Sequence, residues 1–167
     1  HDLTVSNDVE TAWSWTVYNL YAGGTADSTA ADTQHISVQA GNFAVIASGR
    51  GSTTHKANVD VAVGGSAEVE LAGVYMGAKL DGEVTFHVEG GVKLTQFLGE
   101  QSGGKVTGNL TLIISGAPTM STGYYSTYKA SVNKDSFGTL DLSAADSQFV
   151  TNNKDKFTGF ATVLPTA

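Results

Sequence analysis

Apolar and polar residues alternate with a period of two along most of this chain, the signature of strands with one face buried and the other wet. In 83–98, Val84, Phe86 and Val88 point one way while Glu83, Thr85, His87 and Glu89 point the other. After Gly90-Gly91 the apolar face resumes with Val92 and Leu94. The stretch 58–71 repeats the design, with Val59, Val61 and Val63 before Gly64-Gly65 and Val69 and Leu71 after it. Further strands are predicted over 3–9, 13–21, 36–40, 43–47, 106–114, 124–132, 140–142 and 157–164. A helix of a turn or two is predicted over 143–150, with Ser143 as its N-cap.

Four Gly-Gly pairs punctuate the strands, at Gly23-Gly24, Gly64-Gly65, Gly90-Gly91 and Gly103-Gly104. Glycine accepts the positive φ of a two-residue hairpin turn without steric cost. Strands polar on one face belong in antiparallel sheets, because strands covered on both faces read as continuous apolar runs. The pattern therefore predicts an all-β fold, an antiparallel β-sandwich or barrel of jelly-roll or Ig-like type. About ten strands would be joined by Gly-Gly hairpins, with at most one short helix. Three stretches, around 35–48, 57–73 and 83–97, echo one another as strand, glycine turn, strand. Such an echo is also what a β-solenoid shows, but solenoid repeats keep a steady period. The Gly-Gly pairs lie 41, 26 and 13 residues apart, which favours hairpins. Residues 1–10 are expected to form an N-terminal extension, and 11–167 a single β domain.

Composition narrows the function. The 167 residues carry 9 Lys+Arg against 16 Asp+Glu, a net charge of -7, and have no basic cluster, so nucleic acid is not an expected partner. Only 15% of residues are charged and 20 are Gly, a composition expected of extracellular, cell-surface or virion-surface β-proteins. There is no Cys, which removes disulfides, thiol nucleophiles and Cys-based metal sites. No apolar run reaches the ~20 residues of a membrane-spanning helix.

Chemistry-bearing motifs are missing from the sequence: G-x-S-x-G, G-x-x-x-x-G-K-[ST], H-E-x-x-H and the EF-hand loop do not occur. No enzymatic activity, cofactor or metal is expected. His1 resembles the copper-binding first residue of lytic polysaccharide monooxygenases, a likeness of one residue. Glu89, two positions after His87, is a candidate carboxylate partner for that imidazole.

Two surfaces remain as candidates. Leu3, Val5 and Val9 form an apolar file in the N-terminal segment and are the expected subunit interface, pairing as a strand with a neighbouring copy. In composition and arrangement the chain is similar to cysteine-free donor-strand pilins, which implies assembly by strand donation. The expected function is a self-assembling structural subunit of an extracellular filament, pilus, surface layer or virion, with itself as partner. The alternative is a carbohydrate-binding or adhesin module using aromatic platforms. Tyr124, Tyr125 and Tyr128 are the candidate ligand contacts, with glycans as the second candidate partner. Trp13 and Trp15 share a strand face with Val17 and are expected to be buried.

Overall fold

Every strand pair in the described part of this protein is parallel. The structure is a computed structural model that describes residues 2–5, 18–22, 33–49, 54–75, 77–101, 103–128 and 135–165. Within them the chain climbs as a β-solenoid of about five turns. The first turn holds β1 (Asp2–Val5) and β2 (Tyr18–Tyr21). The second holds β3 (Thr33–Val38), β4 (Asn42–Ile46) and β5 (Thr54–Lys56). The third holds β6 (Asn58–Val63), β7 (Glu68–Val74) and β8 (Lys79–Asp81), and the fourth β9 (Val84–Val88), β10 (Lys93–Glu100) and β11 (Lys105–Val106). The fifth contains β12 (Leu110–Gly116), β13 (Thr119–Met120) and β14 (Tyr125–Tyr128). It is followed by β15 (Thr139–Ala145), α1 (Ser147–Asn153), a 3-10 turn (Lys154–Lys156) and β16 (Thr162–Leu164).

Like strands of successive turns stack into three sheets. Sheet A runs β1-β3-β6-β9-β12-β15-β16, sheet B runs β13-β10-β7-β4-β2 with β14 also on β10, and sheet C runs β11-β8-β5. Ile36 pairs with Val61, Val61 with Phe86 and Phe86 with Leu112, so a turn consumes about 25 residues.

This arrangement overturns the expected antiparallel β-sandwich or barrel of jelly-roll or Ig-like type. The alternation itself was sound: Val59, Val61, Val63, Val84, Phe86 and Val88 are all buried. Alternation reports that one face is covered, not which way the neighbouring strand runs. In a solenoid the inner faces cover one another and the outer faces meet water, so parallel strands alternate too. The Gly-Gly pairs do not reverse the chain. Gly64-Gly65 turns it from sheet A into sheet B, and hydrogen-bonds to the corner of the turn beneath: Gly64 N–H donates to Val38 O (2.9 Å) and Ser66 N–H to Gln39 O (3.0 Å). Gly65 has φ +58, whereas neither Gly90 nor Gly91 has the positive φ expected of a hairpin glycine.

The core is built of inward files, each adding one side chain per turn. Ile36, Val61, Phe86, Leu112 and Leu140 form one file, all buried. Val45, Leu71, Phe97 and Tyr125 form the facing file in sheet B. The two meet where Phe86 and Phe97 pack edge to face, 5.7 Å between centroids. Each fully buried Val, Leu or Phe stabilises the fold by roughly 1.5–3 kcal/mol.

The C-terminal end of this core is covered. Phe160 stacks on Phe97 at 5.8 Å, Phe157 packs against Tyr125 at 5.7 Å, and Phe149 of α1 is buried. Helix α1 begins later than 143–150 would have it, because Ser143 still belongs to β15. Asp146 is the N-cap, its Oδ1 accepting from the N–H of Gln148 (2.8 Å) and Phe149 (3.2 Å).

Candidate functional site

The outer face of sheet B carries a groove lined by polar and aromatic side chains. Alternation turns Val45, Leu71 and Phe97 inward, so their neighbours in sequence turn out. Parallel register then lines up Asn19, Ala44, Glu70 and Gln96, one from each of β2, β4, β7 and β10. A second file runs Tyr21, Ile46, Ala72, Leu98, Ser126, and its last four members are buried. Ala44 and Ala72 are too short to fill the surface, and a groove of about 140 Å³ opens over them. Tyr75, on the corner after β7, forms one wall, with Gln101 beside it. Its ring is held by an edge contact with Tyr21 at 6.0 Å, and its backbone N–H donates to Ser48 Oγ at 3.0 Å. Further along the face, Lys93 and Glu68 form an ion pair at 3.0 Å between in-register residues of β10 and β7.

The three candidate tyrosines do not form one platform. Tyr125 is buried at the end of an inward file, and its hydroxyl donates to Leu94 O (2.7 Å) and Ser121 O (2.8 Å). Burial raises the Tyr125 phenol above its ordinary value, with the hydrogen bond to Ser121 opposing. Tyr124 is 54% exposed and precedes β14 where it pairs with Phe97, which places it next in line after Gln96 on the outer face. Tyr128 is half-buried on β14, opposite Glu100 of β10.

Of the candidate interface residues, Leu3 is 47% exposed on β1, opposite Ile36, and so stands at the N-terminal end of the inward file. Val5 lies on the same strand opposite Val38. Val9 falls outside the described residues, as do His1, Trp13 and Trp15.

On the outer face of sheet A the carboxylate partner of His87 is Asp60, not Glu89. Nε2 of His87 lies 3.0 Å from Asp60 Oδ1, and Nδ1 of His35 lies 3.4 Å from Oδ2. One carboxylate thus bridges imidazoles from the turns above and below it. A shallow depression of about 330 Å³ lies beside this trio, bordered by Asp2, Thr4 and Ser37. Among the described residues no three His, Asp or Glu side chains are arranged to hold a metal ion. His55 is buried inside the coil against Gly49, and burial lowers its imidazole below the ordinary value.

Set against protein-family models, curated proteins and solved structures, the chain matches none. What the fold defines is a class, the parallel β-solenoids. Asn19, Glu70, Tyr75, Gln96 and Gln101 were missed as site residues because only the coil brings them together. Their one sequence signal is position: Ala44, Glu70 and Gln96 sit about one turn apart, each followed by an inward apolar residue, Val45, Leu71 or Phe97.

Proposed function

We propose that this protein is a structural β-solenoid subunit of an extracellular or surface assembly, joining a second copy of itself through β1. The observation that carries the reading is Leu3. It heads the inward file of Ile36, Val61 and Phe86, yet is 47% exposed, and among the described residues β1 pairs with β3 alone. An open strand edge beside an uncovered end of the core is a surface that favours another strand. The opposite end is closed by Phe149, Phe157 and Phe160. That difference favours a twofold pairing of β1 with β1 of a second copy over head-to-tail stacking. The low fraction of charged residues and the abundant Gly support an exported setting.

Light scattering after size exclusion tests the reading across a concentration series. The chain is expected to dimerise, more readily at high salt, because each copy carries a net charge of -7 and salt screens the repulsion. Leu3→Asp is expected to hold it monomeric with unchanged circular dichroism. A parent that stays monomeric at high concentration and high salt contradicts the reading, as does a variant that dimerises equally well. No helix among the described residues is long and apolar enough to cross a membrane.

A further inference from the structure

We propose that the outer face of sheet B is a binding site for a neutral oligosaccharide laid along the solenoid axis. The site is independent of β1 and of self-association. Three features of the face point to this ligand class.

The first is the pairing of flat apolar surface with neutral polar groups. Tyr75 and Tyr124 offer ring faces with a hydroxyl at the tip, suited to the C–H face of a pyranose. Asn19, Gln96 and Gln101 each supply a carboxamide, donor and acceptor together, and Glu70 supplies an acceptor. Vicinal sugar hydroxyls are donors and acceptors at once, which is what a carboxamide matches. The small Ala44 and Ala72 set the floor low enough for a ring to descend between these groups.

The second is charge. Among the described residues that line the groove, Glu70 is the one carboxylate and there is no Lys, Arg or His. With a net charge of -7 on the whole chain, the field opposes phosphorylated, sulfated or uronic acid ligands. Neutral sugars carry no such penalty.

The third is spacing. Asn19, Ala44, Glu70, Gln96 and Tyr124 succeed one another strand by strand, so these positions recur at about 4.8 Å along the axis and all but Ala44 carry a polar group. A hexose unit in an extended chain is about one such step long. The repeat of the solenoid therefore matches the repeat of the polymer, and a chain laid along this file from Asn19 to Tyr124 spans four strand spacings, about 19 Å, with Tyr75 to one side of it. A tetrasaccharide covers the file, whereas a monosaccharide meets only one step of it.

The test is titration calorimetry with saturation-transfer NMR on the intact chain. The probes are cellotetraose, maltotetraose and mannotetraose, with glucose as the short control and tetragalacturonate as the anionic one. At least one neutral tetrasaccharide is expected to bind, more tightly than glucose and in preference to tetragalacturonate. Tyr124→Ala is expected to weaken it about tenfold, the worth of one good ring contact. Tyr124 is more than half exposed, so its removal leaves the fold intact, which a melting curve verifies. Gln96→Ala, on the same file, should weaken binding further, while Thr111→Ala on the outer face of sheet A should not. Three results overturn the proposal: no binding by any neutral tetrasaccharide at millimolar concentration, binding that survives both Tyr124→Ala and Gln96→Ala, or a preference for tetragalacturonate. None of them bears on whether the chain dimerises through β1.

Discussion

Gly91 sits so closely over Gly65 that a methyl group on it would lie 2.3 Å from the Gly65 carbonyl oxygen. The two residues are one turn apart, and each occupies the corner where the chain leaves sheet A for sheet B. Stacked corners have no room for a Cβ between backbones. The glycine requirement is thus a vertical one, set by the neighbouring turn, in addition to any demand of the local dihedrals.

Gly91→Ala should destabilise the protein although its φ is not among the positive values. The Cβ would press on backbone, which cannot swing aside. Gly65→Ala should cost more, because a Cβ there meets Gln39 O at 2.2 Å and φ is +58. The left-handed conformation alone adds roughly 1–2 kcal/mol for a residue with a side chain. Urea titrations of both variants check the order; equal stability of parent and Gly65→Ala would be incompatible with stacked corners.

Tyr125→Phe should lower stability by about 1 kcal/mol, since the ring keeps its place while the hydroxyl's bonds to Leu94 and Ser121 are lost. Tyr125→Ala should cost more, about 3–5 kcal/mol, by opening a cavity under Phe157. The raised phenol adds a pH dependence with a definite sign. The unfolded chain ionises first, so this contribution is intact below pH 10.0 and is lost as pH rises through the higher folded value. Denaturant midpoints of parent and Tyr125→Phe across the alkaline range should converge.

His55 produces the opposite slope. Its imidazole is held below 6.5 by burial, so the unfolded chain takes up the proton first on acidification. The contribution is fully present above pH 6.5 and is lost as pH falls through the folded value. His55→Leu should flatten the change in denaturant midpoint between pH 8 and pH 5 relative to the parent. An unchanged pH dependence in His55→Leu would assign the slope to other groups.

Much of the core was legible in the sequence, because the inward residues of 58–71 and 83–98 follow the period of two and are buried. The coil was hidden by its own corners. Gly64-Gly65 and Gly90-Gly91 belong to the corner between sheets A and B, while Gly103-Gly104 stacks beside Gly77 at the corner between sheets B and C. Merging two corners into one series makes the spacing look uneven. Taken separately, Gly65 to Gly91 and Gly77 to Gly103 are both 26 residues. The same holds for the groove. Of the candidate tyrosines Tyr124 is exposed while Tyr125 beside it goes inward, and Glu70 and Gln96 become neighbours only when a turn of the coil sets them side by side. Asp60 likewise reaches His87 from the turn below, a neighbour that local spacing does not reveal.

The parallel coil is tested most directly by backbone NOEs in the isotope-labelled protein. Stacked turns place Val61 beside Phe86 and Phe86 beside Leu112, so interstrand amide contacts should link those pairs. A hairpin at Gly64-Gly65 would instead put Val61 opposite Glu68 in a hydrogen-bonded antiparallel pair, with a close contact between their amide protons. Cross-peaks from Val61 to Phe86 without any from Val61 to Glu68 are the predicted result. The reverse pattern would contradict the solenoid and with it the alignment of Asn19, Glu70, Gln96 and Tyr124 on one face.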